Sequence, residues 1–220
     1  MAEDQEEPEL QNLAMLEPVR LKGYERFFLD GEKLPLNVRQ FWQWSVSDLL
    51  SNLTRGRLAE FLVACALGVD VTRGVRREWD AFDLLTPCNV KVEVKSAAYL
   101  QTWFQKETSK ITWTVGPTRA WDAATNVFSA EVKWQADVYV LALFEAKSKS
   151  DTSAPLDVAR WRFFVAPVEV LREHGKRAWP LAAVERLVRE GRIASVRYDW
   201  VKVAVCCLGH GCEGACGEGT

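Results

Sequence analysis

Apolar and polar positions along the chain change period from segment to segment. The stretch Val90-Lys91-Val92-Glu93-Val94-Lys95-Ser96 alternates strictly. Successive side chains of a strand point to opposite sides of its sheet, so Val90, Val92 and Val94 share one face and Lys91, Glu93 and Lys95 the other. Residues 81–85 alternate as well, and Thr86-Pro87-Cys88-Asn89 has the composition of a turn. Together they predict a β-hairpin with Phe82, Leu84, Val92 and Val94 on one face and Asp83, Glu93 and Lys95 on the other. Residues 137–144 are an almost unbroken apolar run, the pattern of a central strand covered on both faces. Residues 110–115 alternate and stop at Gly116-Pro117, residues 161–165 read as another strand, and residues 196–205 as the last.

Helical period is clearest over 48–67, with Ser47-Asp48 as the cap and Gly68 as the stop. Leu58, Phe61, Leu62 and Cys65 form its apolar stripe. Glu60 points the other way, yet its neighbours there are Leu53, Gly56, Ala64 and Leu67. An acid set into so apolar a helix needs a partner. Arg57, three residues earlier, is the local choice, and a functional role is the alternative. Shorter helices are expected over 167–174, ended by Gly175, and over 181–190, ended by Gly191. Tyr24, Phe27, Phe28 and Leu29 before Asp30-Gly31 suggest a strand or turn packed on the body. Residues 69–78 read as a strand or a basic loop, 97–105 as helix or strand, and 118–136 as irregular. Residues 1–12 are expected to be a disordered acidic tail, 13–205 a single domain, and 206–220 a flexible Cys- and Gly-rich tail. The fold class is α/β or α+β, a central mixed sheet flanked by helices.

Bulk properties narrow this little. At 220 residues and 48% hydrophobic content the chain can bury one substantial core. No apolar run reaches the roughly 18 residues of a membrane span. The acidic start does not resemble a secretory leader, so the cytoplasm is the expected compartment. A net charge of -2 argues against nucleic-acid binding. However, Glu3, Asp4, Glu6, Glu7 and Glu9 concentrate that acidity in the first nine residues, and the remainder is mildly basic. Only His174 and His210 are present, which disfavours histidine-based catalysis. Cys65 and Cys88 sit in apolar or strand contexts and are expected to be buried. The segment Cys206-Cys207-Leu208-Gly209-His210-Gly211-Cys212-Glu213-Gly214-Ala215-Cys216 gathers ligand types suited to zinc, though without paired C-x-x-C spacing.

The hairpin carries the chemistry. Two carboxylates on one face repel unless a cation lies between them. A hard divalent ion accepts such oxygens and leaves room for water and phosphate. A lysine beside it can orient a water or stabilise charge developing on a phosphate. These residue types suit phosphodiester hydrolysis. An E-x-K in one strand is most often solvated surface, and what raises this one above that is Asp83 on the paired strand and Glu60 on the preceding helix.

That series, a helix glutamate followed by Asp and Glu-x-Lys across a hairpin, resembles the PD-(D/E)XK nuclease superfamily and its restriction-endonuclease-like fold. The resemblance covers about residues 47–145. It implies catalytic roles for Glu60, Asp83, Glu93 and Lys95, and Mg²⁺ (or Mn²⁺) bound by Asp83, Glu93 and the backbone carbonyl of Val94. Phe82 stands where the motif's name has proline. Gln101 resembles the glutamine that follows the tripeptide in some branches. The expected activity is a Mg²⁺-dependent endonuclease acting on DNA, with a homodimer as a further expectation. An RNA nuclease and a non-catalytic binding or scaffolding module are the alternatives. Arg73, Arg76 and Arg77, with Arg55, Arg57 and Lys110, are candidates for phosphate contacts. Trp103 is a candidate for base stacking, although most of the ten tryptophans are expected in the core.

Overall fold

The computed structural model describes residues 15–78, 80–150 and 154–210. The expected tail at 1–12 and the ligand-type residues Cys212 and Cys216 lie outside them. In chain order the elements are β1 (Arg26–Leu29), β2 (Glu32–Asn37), α1 (Val38–Val46), α2 (Asn52–Leu67), β3 (Leu84–Leu85), β4 (Lys91–Ala98), β5 (Thr112–Thr114), β6 (Thr118–Asp122), β7 (Val127–Lys133), β8 (Val138–Phe144), β9 (Trp161–Pro167), α3 (Val168–His174), β10 (Ala178–Pro180), α4 (Leu181–Arg189), β11 (Ala194–Val196) and α5 (Val201–His210).

A five-stranded mixed sheet in the order β11-β9-β8-β4-β3 forms the centre. β8 is buried at every position, runs parallel to β4 and antiparallel to β9. This is the environment its apolar run predicts. On one face Ala59, Leu62, Val63 and Leu67 of α2 and Val201, Ala204 and Val205 of α5 cover Val90, Val92, Val94, Val138 and Val140. On the other, Leu171 of α3, Val184 and Leu187 of α4, and Trp113 and Trp179 of the β5–β10 pair cover Tyr139, Leu141, Leu143 and Phe164.

The expected hairpin is present, with Leu84 opposite Val92 and Leu85 opposite Lys91. Phe82 departs from its expected face: it packs with the second cluster and lies under the Lys91 ammonium, 5.6 Å from the ring centre. β3 is only two residues long, so strand alternation does not extend back to Phe82.

α2 starts at Asn52, not 48, because Ser51 is its cap and accepts from the Thr54 N–H at 3.3 Å. Asp48 instead accepts from the backbone N–H of Leu50 and from the Thr102 hydroxyl. Gly68 ends the helix at φ +74°. Its buried stripe runs through Ala59, Leu62, Val63 and Leu67, while Phe61 is exposed. Residues 26–37 form a hairpin, but Phe28 and Leu29 stay exposed rather than packing on the body. Residues 118–136, expected to be irregular, hold the β6–β7 hairpin. Residues 99–105 are neither helix nor strand. Cys88, expected to be buried, is exposed in the turn between β3 and β4.

The largest correction is at 196–205. The strand stops at Val196, a 3-10 turn spans Tyr198–Trp200, and α5 continues through Cys206 to His210. Val201, Ala204, Val205 and Leu208 fit a helical stripe better than alternation, and that face packs on the sheet. The stretch 206–210, expected to be flexible tail, is therefore helical.

Candidate active site

β4 places its side chains as the alternation requires. Val92 and Val94 enter the core under α2, and Glu93 and Lys95 project from the other face, half-buried and ion-paired with each other. The shortness of β3 leaves the edge of β4 open beyond Val92. Asp83, just before β3, uses that edge: its Oδ2 accepts from the Val94 N–H at 2.7 Å. In a strand the N–H and C=O of one residue point to the same edge. The Val94 carbonyl is thus on the Asp83 side.

Glu60 reaches the same place from α2. Its partner is Arg76, which donates through both Nε and a terminal nitrogen (2.9 Å for the latter). Arg57, its expected partner, pairs with Glu78 instead. Asp83, Glu93 and Glu60 form one electrostatic group. Burial, then the charges of Glu93 and Glu60, push the Asp83 carboxyl up to about 7, against the Val94 N–H and Lys95, which lower it. Lys95 is held above its ordinary value: burial works against its charge, but Glu93, Asp83 and Glu60 outweigh it. Three carboxylates thus face the two cations Lys95 and Arg76, and the surplus negative charge falls on Asp83.

Two depressions are lined by members of this group. A cleft of about 750 Å³ contains Glu60 and Asp83 and is rimmed by Arg20, Arg57, Arg76 and Arg77, with Trp42 and Phe61 as aromatic wall. A smaller one of about 210 Å³ contains Glu93 and Lys95 together with Tyr139, Gln135 and Arg177. Tyr139 is directly opposite Glu93 on β8. Burial and the Glu93 charge push its phenol up to about 12, so it remains a hydroxyl donor. Sequence reasoning missed Tyr139 and Arg177. The signal for Tyr139 was the one polar-tipped residue in the apolar run of β8; Arg177 comes from a distant loop and left none.

The remaining candidates divide. Arg76 and Arg77 line the cleft; Arg77 pairs with Glu17 at its rim. Arg73 is outside it and pairs with Asp70. Gln101 is buried, with its side-chain oxygen accepting from Arg55 (3.3 Å) and its amide donating to Ser109 (3.3 Å), so it does not present itself to a nucleic acid. Arg55, also buried, is held by the Leu50 carbonyl and Asn52 and does not reach the surface. Trp103 is exposed, on a loop away from both depressions.

The donor set suits a hard divalent cation. Asp83 and Glu93 offer carboxylate oxygens, the first crowded by the charges of Glu93 and Glu60, and the Val94 carbonyl lies on the Asp83 side of β4. Among the described residues, no group of three or more His, Cys, Asp or Glu is drawn together as a metal cage. An ion here would depend on backbone, water or phosphate oxygens for its remaining positions, as Mg²⁺ commonly does.

Among curated proteins and among solved structures, no match is found. A sequence-family model described as bacteriophage T4 endonuclease IV matches residues 37–183, a span that contains Glu60, Asp83, Glu93 and Lys95.

Proposed function

The chain belongs to the bacteriophage T4 endonuclease IV family, and from that premise we propose that it is a Mg²⁺-dependent deoxyribonuclease with a PD-(D/E)XK type of centre. The observation that carries this reading is Asp83, a carboxyl held up to about 7 between Glu93 and Glu60 at the floor of an arginine-rimmed cleft. A divalent ion would relieve that charge. Asp83, Glu93 and the Val94 carbonyl would hold it, and it would supply Lewis acidity toward a phosphate oxygen and activation of a water.

The protein's own groups do the rest. Lys95 is protonated and paired with Glu93. The Lys95 ammonium would stabilise negative charge developing on a phosphate held in the site. Glu60, held by Arg76, sets the negative field at Asp83 and orients water at the cleft floor. Arg57 and Arg77 offer planar forks matched to phosphate oxygens. Their present partners, Glu78 and Glu17, are acids that a nucleic-acid backbone would displace. Tyr139, opposite Glu93 across the sheet, stays neutral and adds no charge to the group.

The test is cleavage of single- and double-stranded DNA and of RNA by the purified chain with Mg²⁺, Mn²⁺ or chelator. Metal-dependent DNA cleavage is expected. Asp83→Asn and Lys95→Ala should each lose about 10²-fold or more with an unchanged circular dichroism spectrum. Full activity in chelator, or in Asp83→Asn, would refute the centre. Cleavage of RNA alone would move the substrate assignment.

A further inference from the structure

The smaller depression shares no lining residue with the arginine-rimmed cleft, although Glu93 in the one and Asp83 in the other are electrostatically coupled. The proposed chemistry draws Glu93 and Lys95 from it and gives no role to Arg177. Glu93 and Lys95 answer each other as an ion pair. Arg177 adds a further positive charge, and among the described residues its guanidinium enters no ion pair.

Arg177 has a fixed root. The Val115 N–H donates to its carbonyl at 2.9 Å, and in the next positions of the β5–β10 ladder Ala178 is opposite Thr114 and Trp179 opposite Trp113. Both tryptophans are buried, and the Trp179 indole N–H donates to the Lys176 carbonyl at 2.9 Å. The side chain lies across Gly116, where a Cβ would be 3.2 Å from Arg177 Cγ and 3.4 Å from its Nε. A residue without a side chain thus lets the arginine stem lie flat along the wall of the depression. On the same wall the Gln135 amide donates to the Thr118 carbonyl at 2.8 Å, and an amide nitrogen has a second N–H to offer.

Size and lining select the ligand. At about 210 Å³ the depression is below the roughly 300 Å³ at which pockets for whole small molecules begin. Its aromatic residue, Tyr139, is buried. It therefore suits a phosphate rather than a base. A guanidinium meets phosphate oxygens as a planar fork. Arg57 and Arg77 must give up Glu78 and Glu17 to do so, whereas Arg177 has no such acid to leave, and more of its attraction is kept.

We propose that this depression is a second phosphate subsite, in which Arg177 binds a phosphodiester neighbouring the scissile one. The register rests on the nuclease reading: Lys95 lines the same depression and, on that reading, serves the scissile phosphate. The DNA strand is then gripped from two depressions, by Arg57 and Arg77 in the cleft and by Arg177 here.

The experiment compares the wild-type chain with Arg177→Ala and Lys176→Ala. Lys176 is the preceding residue and is outside the depression. Arg177 is exposed, so its alanine variant should keep the wild-type circular dichroism spectrum. In metal-free anisotropy titrations on DNA, Arg177→Ala should lower the slope of log affinity against log salt by about one unit, and Lys176→Ala should not change it. On an oligonucleotide cut at one bond, Arg177→Ala should lose about tenfold in kcat/KM, mostly through KM. A series of the same oligonucleotide with one uncharged methylphosphonate at successive positions locates the contact. One position beside the scissile bond should slow the wild type by about tenfold and leave Arg177→Ala no slower than it already is. An unchanged salt slope in Arg177→Ala, or a methylphosphonate penalty as large in Arg177→Ala as in wild type at every position, would overturn the subsite while leaving the nuclease reading intact. A wild type that binds DNA without cutting it would sink the nuclease reading, and with it the register, while the salt slope still decides whether Arg177 holds a phosphate. A chain that neither binds nor cuts would sink both.

Discussion

Burial and the charges of Glu93 and Glu60 hold the Asp83 carboxyl near 7, so around neutral pH it is shared between two protonation states. The consequence for stability has a definite sign. The folded value is above the ordinary 3.8, so the unfolded chain gives up this proton first. Folding therefore loses stability as pH rises from about 4 to about 7, and the loss is complete above that. Asp83→Asn should remove this component, giving a Tm a few degrees above wild type at pH 8 and little difference at pH 4, as read by thermal denaturation without metal. The proposed Mg²⁺ site makes a linked prediction. Binding should expel close to one proton per ion at about pH 6 and almost none at about pH 9. Calorimetry in buffers of different ionisation enthalpy measures this. A proton count independent of pH would separate Asp83 from metal binding. Lys95 behaves oppositely: its neighbours hold its charge on, which makes it a source of positive field rather than a base.

At the scale of elements, the site depends on the unequal lengths of two paired strands. β4 runs for eight residues and β3 for two, and the uncovered edge is where Asp83 finds the Val94 N–H. The hairpin is anchored by α5, whose Gly209 lies against Val90. In an ordinary helix, glycine to alanine stabilises by up to about 1 kcal/mol. Here the new methyl meets the branched side chain of a buried valine, an overpacking that costs about 1–3 kcal/mol. Gly209→Ala should therefore destabilise the protein in denaturant titration, and Val90→Ala in the same chain should recover part of the loss. Stabilisation by Gly209→Ala alone would mean that α5 packs less closely. The helical stripe of α5 could be read in its sequence, yet Val196 to Val205 also satisfied a strand pattern, because short apolar runs fit both periods.

For the whole molecule, charge placement matters more than charge total. The net value is -2, but Arg20, Arg57, Arg76 and Arg77 come from three separate stretches to rim one cleft. Phosphate contacts release counterions, so binding should weaken with salt. Arg57→Ala and Arg77→Ala should each lower the slope of log affinity against log salt by about one unit on DNA of any sequence. Fluorescence anisotropy between about 50 and 200 mM salt measures it. Arg73→Ala, outside the cleft, should leave the slope unchanged. Equal effects at all three positions would indicate a diffuse field rather than a cleft.

Local periodicity was enough to read the β3–β4 hairpin, the central strand β8 and the helix bearing Glu60, because each rests on alternation or helical spacing among neighbouring residues. The nearness of Glu60, Asp83, Glu93 and Lys95 could be read from that hairpin and helix, and they are electrostatically coupled in the fold; it was the resemblance to a known motif that singled them out as candidates. What the chain order could not reveal was which distant groups meet. Arg76 rather than Arg57 binds Glu60, Tyr139 and Arg177 join Glu93, Gln101 turns inward to Arg55, and Cys88 meets Cys206. These pairings follow from sheet order and helix docking, which are set by packing over the whole core and have no counterpart in local spacing.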